Sequence, residues 1–167
     1  LPPHGTIGVG FETIRAGESY RWDGMQRGGN ARKPTWLFQY TLSGWGIFGR
    51  RGSSRRVEPG EAFCAKIPSP HIYHNDPRCK EWRFFWILIN HSYVTTRLLR
   101  QPWFSNTVVK LPDNSRAIEA ASSIVVRIGG RADVHEIESA LFRLMVELER
   151  HVFLERHPAE ERIRMME

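Results

Sequence analysis

A mainly β chain with helices at its C-terminal end is what the residues predict, and three observations carry that expectation. Between Trp36 and Asn90 the chain is dominated by Thr, Tyr, Phe, Val, Ile and Trp, with turn residues every ten or so positions, the spacing of small sandwiches and barrels. Those turns are Ser43-Gly44, Pro59-Gly60 and Pro68-Ser69-Pro70. After Asn90 the apolar period changes from two towards three and four, which marks helices.

The first 35 residues are loosely patterned, with Ile7–Ile14 and Tyr20–Trp22 as candidate strands and Gly24–Pro34 as a loop rich in Gly and basic residues. Three aromatic-rich segments follow, Trp36–Phe48, Arg55–Pro77 and Glu81–Ile89. Gly60, after Pro59, fits a tight turn with a positive φ angle. In the last segment alternation places Trp82, Phe84, Trp86 and Leu88 on one face and Arg83, Phe85, Ile87 and Ile89 on the other. Hydrophobicity on both sides predicts a strand buried on both faces. Further on, Ala117, Ile118, Ala121, Ile124, Val125 and Ile128 form one helical stripe, stopped by Gly129-Gly130. A second stripe runs through Val134, Ile137, Leu141, Leu144, Met145, Leu148 and Val152. Asp133 with Glu136 three residues on has capping-box spacing, and Pro158 bounds that helix. These boundaries divide the chain into residues 1–112, a barrel with an N-terminal arm, and residues 113–167, a helical segment suited to dimerisation or linkage.

Composition narrows the function. At 167 residues the chain can bury a core without disulfides. Cys64 and Cys79 have no Cys-x-x-Cys spacing, which argues against a disulfide scaffold or a zinc ribbon and for a reducing, cytoplasmic setting, and Cys64, in an apolar strand, is expected to be a buried free thiol. No apolar run approaches the ~20 residues of a membrane span, and Leu1-Pro2-Pro3 begins no signal peptide. The chain opens without a Met, which fits a processed or cut protein. The net charge is +6. Arg50, Arg51, Arg55 and Arg56 around Gly52-Ser53-Ser54 make an exposed hairpin tip, a feature that is ordinarily just solvated.

A metal-binding double-stranded β-helix needs imidazoles and a carboxylate converging on the ion. No His lies between Trp36 and Gly60, so no metal and no other cofactor is expected. Gly-x-Ser-x-Gly is absent, Cys64 has no evident base, and Glu58 and Glu61 flank a turn facing water, so enzyme chemistry has little support. A recognition site remains. Barrel pockets combine aromatic walls with a few polar groups; an indole face suits the C–H face of a sugar, and Tyr or His can bond its hydroxyls. Trp82, Phe84, Trp86, His71 and Tyr73 are the candidates, although an aromatic in such a strand is most often simply core.

At LSGWG, VEPGEAF, IPSPHIYHNDP and EWRFFWILI, in that order and spacing, the chain resembles the N-terminal sensing domain of AraC-type transcription regulators over about Arg32 to Ser115. The resemblance implies a cupin-like double-stranded β-helix barrel without metal, a small-molecule effector such as a sugar inside it, and homodimers through the following antiparallel helix pair. By the same resemblance Trp86 matches a tryptophan that stacks on sugar in the arabinose-sensing member. Tyr73 and His71 match its ligand-side tyrosine and pocket-mouth histidine, and Arg32 is similar to an arginine that bonds sugar hydroxyls. Phe84 stands where that member has a histidine, which points to a different effector. DNA contact in the family runs through paired helix-turn-helix motifs; nothing after Gly130 has that pattern, so DNA would be reached only through a domain outside this chain. The competing expectation is a stand-alone metal-dependent cupin enzyme.

Overall fold

The computed structural model describes residues 5–128, 130–158, 163, 164 and 166, with the side chains of residues 5–7 undescribed. Leu1-Pro2-Pro3 and Gly129, the first half of the helix stop, lie outside the described residues. The chain divides into two compact units, residues 1–113 and 114–167.

The first unit is a double-layered β structure. Among the described residues it contains β1 (Gly5–Arg15), β2 (Arg21–Asp23), β3 (Thr35–Ser43), β4 (Gly46–Arg50), β5 (Ser53–Val57), β6 (Glu61–Ile67), β7 (Ile72–Asn75), β8 (Glu81–His91) and β9 (Thr107–Lys110). One sheet has the order β1-β8-β3-β6-β9 and the other β2-β7-β4-β5. Every pairing is antiparallel. The expected three aromatic segments thus supply six strands: the first breaks at Gly44 and the second at Gly60 and again at Pro68-Ser69-Pro70, with Gly44 and Gly60 both at positive φ. At Gly60 the turn follows Pro59 as its sequence requires, with φ 84°.

Two-sided burial of β8 is observed: Phe84, Phe85, Ile87 and Ile89 are all buried. Its outer face meets Phe38 and Tyr40 of β3, with ring centroids 6.3 and 5.5 Å from Phe85. The outer face of β3 is sealed by polar contacts as well. Trp36 Nε1 donates to the Phe104 carbonyl at 2.9 Å, and the Tyr40 hydroxyl donates to the Leu111 carbonyl at 2.9 Å. A short helix, α1 (Ser92–Leu99), starts where the His91 ring accepts from Val94 N and caps the first turn. Cys64, at the centre of the β3–β6 pair, is a buried free thiol, and burial pushes its pKa far up. Glu61, expected to face water, is instead largely covered and bonded to Arg55 at 2.6 Å, because the β5–β6 turn folds the arginine back over it.

The second unit consists of α2 (Arg116–Ile128) and α3 (Val134–Arg156). Asp133 and Glu136 form the capping box that their spacing predicts. The helices run antiparallel: a short connection joins them, and Arg143, in the tenth position of α3, reaches back to Glu119 near the start of α2 at 3.2 Å. The buried stripe includes Ala117, Ile118, Ala121, Ile124 and Val125 of α2 and Leu141, Leu144, Met145, Leu148 and Val152 of α3. Val134, assigned to that stripe by periodicity, sits in the first turn and stays exposed. Among the described residues no helix is long and apolar enough to cross a membrane.

Candidate ligand-binding site

The inner face of the barrel is built by register. Leu88, Trp86 and Phe84 of β8 lie opposite Leu37, Gln39 and Thr41 of β3, and Gln39 also lies opposite Phe63 of β6. All therefore point to the same side of the sheet. The second sheet answers with Phe48, stacked on Phe63 at 4.5 Å, and Tyr73, 4.8 Å from Phe63. One end of this interior is dense. Trp82 and Phe84 are buried with ring centroids 4.3 Å apart, Tyr20 packs edge-on against Trp82, and Trp82 Nε1 donates to Thr41 Oγ1 at 3.1 Å.

The other end is more open. Trp86 and Leu88 are only half-buried. The Trp86 indole lies against the backbone of β1, where a Cβ at Gly10 would stand 2.7 Å from its Cε2, Cζ2 and Nε1 atoms. Glycine at position 10 is what lets the indole take this position. Glu12, two residues on and half-buried, pairs with Phe84 and so shares the inner row of β1.

Polar groups gather around this end. Arg27 comes in from the Gly-rich loop after β2: Nη1 donates to the Tyr73 hydroxyl at 2.5 Å, and the guanidinium covers the Trp22 ring at 4.4 Å. Burial pushes the Tyr73 phenol up to about 12 against the opposing pull of Arg27. Burial, with Tyr73 and Glu12 nearby, pushes the Tyr20 phenol far up, while Gln39 and Arg27 oppose it. His71 stacks parallel to Tyr73 at 6.0 Å. Burial first, then Arg27, lowers its pKa to about 4, so the ring is neutral at pH 7.

The tautomer of His71 follows from counting protons at Ser69. The Ser69 hydroxyl has one hydrogen, which it donates to the Lys66 carbonyl at 2.5 Å. Asn106 is oriented by its Oδ1 accepting from Lys66 N at 3.3 Å, and its Nδ2 donates to Ser69 Oγ at 2.9 Å. The remaining contact, Ser69 Oγ to His71 Nδ1 at 2.9 Å, must then have the imidazole as donor. Nδ1 carries the proton and Nε2 is left as a bare acceptor. That Nε2 is buried with no hydrogen-bond partner, and so is Nε2 of Gln39.

The structure thus gathers Trp82, Phe84, Trp86, Tyr73 and His71 on one interior, with Trp82 and Phe84 in its closed end. Arg32 is not brought to them: it is exposed, with its backbone N–H bonded to Asn30 Oδ1. Arg27, in the same loop, is the arginine that enters. Tyr20, Gln39 and Glu12 were not singled out from sequence. Gln39 alone carried a signal, as the one amide in the apolar run Trp36–Tyr40. Among the described residues, no three His, Cys, Asp or Glu side chains are grouped so that they could hold a metal ion.

A cupin-like barrel with an aromatic interior and a cluster of polar side chains, followed by an antiparallel helix pair, defines a class of small-molecule-binding domains. Within that class, a profile of the AraC-like ligand binding domain matches residues 14–145, and the chain belongs to that family. Similar solved structures include ToxT from Vibrio cholerae O395 (TM-score 0.51, 9% identity, covering 90% of this chain and 55% of that one). The AraC-like transcriptional activator CuxR is also similar (TM-score 0.50, 12% identity, 78% and 46%). The Cupin_2 domain of an XRE family transcriptional regulator from Enterobacter cloacae matches at TM-score 0.40, with 13% identity over 49% of this chain and 79% of that one. The match therefore spans only about half the length of the two AraC-like proteins. No curated protein matches the chain.

Proposed function

We propose that the chain is the effector-sensing and dimerisation domain of an AraC-type transcription regulator, and that its metal-free barrel holds a small sugar of pentose size. Trp86 carries this reading: it is a half-buried indole on an inner wall whose neighbouring rings, Trp82 and Phe84, are sealed. An indole face held beside hydroxyl, guanidinium, amide and imidazole groups suits a compact polyhydroxy ring. Exposed Val126 on α2 and exposed Val146 and Phe153, seven residues apart on α3, support a homodimer through the helices. Effector binding would then act by favouring one of two arrangements of the dimer, and DNA would be contacted by a further domain of the full regulator.

The test is tryptophan fluorescence titration with a panel of pentoses and hexoses. A saturable change that is lost in Trp86→Ala supports the site, while equal binding by that variant removes it. Stoichiometric iron, zinc or manganese in the purified protein would restore the competing reading, a stand-alone metal-dependent cupin enzyme, against which family membership now weighs.

A further inference from the structure

We propose that Gln39 and His71 act as a donor–acceptor pair that selects an uncharged, hydroxyl-bearing effector, with Gln39 giving a hydrogen bond and His71 receiving one. The proposal rests on the sugar-pocket reading above and deepens it. Both side chains are about 99% buried, and both have a nitrogen that closes no hydrogen bond, although the Gln39 amide lies near enough to the Tyr20 oxygen to oppose the rise of its pKa. A buried polar atom left unpaired is costly, and native structures seldom tolerate it without a reason. Here two such atoms face one interior. Gln39 lies on the inner row of β3 beside Trp86 and Phe63, and His71, just before β7, has its ring stacked on Tyr73 and 5.9 Å from Phe48.

The two orphans have opposite needs. Gln39 Nε2 can only donate, and His71 Nε2 can only accept once Ser69 has fixed the proton on Nδ1. A carboxylate only accepts, so it leaves the His71 nitrogen bare. An ammonium only donates, so it leaves the Gln39 amide bare. A hydroxyl does both, and a ligand with two or more hydroxyls can meet both groups at once. The fixed charges agree. Arg27 already donates to Tyr73 and lies over Trp22, and half-buried Glu12 on the same wall repels an anion.

The experiment compares L-arabinose and D-xylose with ring compounds of similar size that carry one charge and no hydroxyl, cyclopentanecarboxylate and cyclopentylammonium, and measures affinity by calorimetry and fluorescence. The sugars are expected to bind at least about tenfold tighter than either charged ring, and Gln39→Leu to lose about tenfold or more of that affinity. A second arm needs no ligand. Removing an orphaned polar group relieves a penalty, so Gln39→Leu should raise the melting temperature of the ligand-free protein by about 2–6 °C, and His71→Phe, which also gives up the bond to Ser69, should raise it by less. Charged rings that bind as well as the sugars, an unchanged affinity in Gln39→Leu, or a lower melting temperature in both variants overturns the pair. Sugar binding that depends on Trp86 but not on Gln39 removes the pair and leaves the pocket. Sugar binding that survives Trp86→Ala removes the pocket itself.

Discussion

The outer and inner faces of β3 treat buried polar atoms in opposite ways. On the outer face, Trp36 and Tyr40 are buried and each bonds a backbone carbonyl, of Phe104 and Leu111. On the inner face, Thr41 is paired with Trp82, but Gln39, two residues earlier, has an amide nitrogen with no partner. The strand is the same and the burial is the same. The difference separates polar groups that complete the fold from groups whose partners the fold does not supply, and it places the change between Thr41 and Gln39, where the dense end of the interior gives way to the open one.

Substitutions along this strand test the contrast. Trp36→Ala removes the largest sealed ring of the outer face and should cost about 3–5 kcal/mol in denaturant unfolding. The next effect is on pH. The His71 pKa falls from an ordinary 6.5 to about 4 in the folded barrel, so between those values the unfolded chain binds more protons. Stability is full above about pH 6.5 and is lost as pH drops towards 4, by at most about 3 kcal/mol. Unfolding midpoints of His71→Phe should vary less across that window than those of the natural protein. Asp76 acts lower on the scale. Hydrogen bonds from Arg78 and Trp45 hold its carboxyl well below the usual range, so its contribution disappears as pH falls below about 3.8. Thr41→Val strands the Trp82 indole N–H and should destabilise by about 1–3 kcal/mol, the opposite sign to Gln39→Leu one turn of the pleat away. Both variants losing stability equally would erase the distinction drawn here. The smallest change is Gly10→Ala, whose Cβ must push the Trp86 indole aside at a cost of about 1 kcal/mol; a shift in tryptophan emission with little change in the unfolding midpoint is the expected result.

Much of the fold was legible in the chain, and the reasons are local. The alternation of Glu81–Ile89 foretold a strand buried on both faces, and Asp133 with Glu136 foretold the start of α3, because periodicity and caps are properties of a few neighbouring residues. The short helix α1 and strand β9 gave no such signal. They are held by tertiary partners, α1 by the His91 cap and by packing on β8 and β3, and β9 by its ladder with β6. The candidate site shows the same division. His71, Tyr73 and Trp86 could be picked out because they sit in marked turns and strands. Arg27 could not be told from Arg32 in a loop without periodicity. Glu12 and Tyr20 come to the interior only because β1 pairs along β8 and β2 along β7, register choices made over about fifty or more residues of sequence and invisible in any short window.

Cys64 carries a practical consequence of the β3–β6 pairing. Its thiol is wholly enclosed and its thiolate strongly disfavoured, so alkylating reagents can reach it only when the sheet comes apart. Cys79, also enclosed but in the turn before β8, reports a shallower opening. Labelling rates at the two sulfurs therefore time two depths of breathing in one molecule, and an effector lodged in the barrel should slow the deeper clock in proportion to its occupancy.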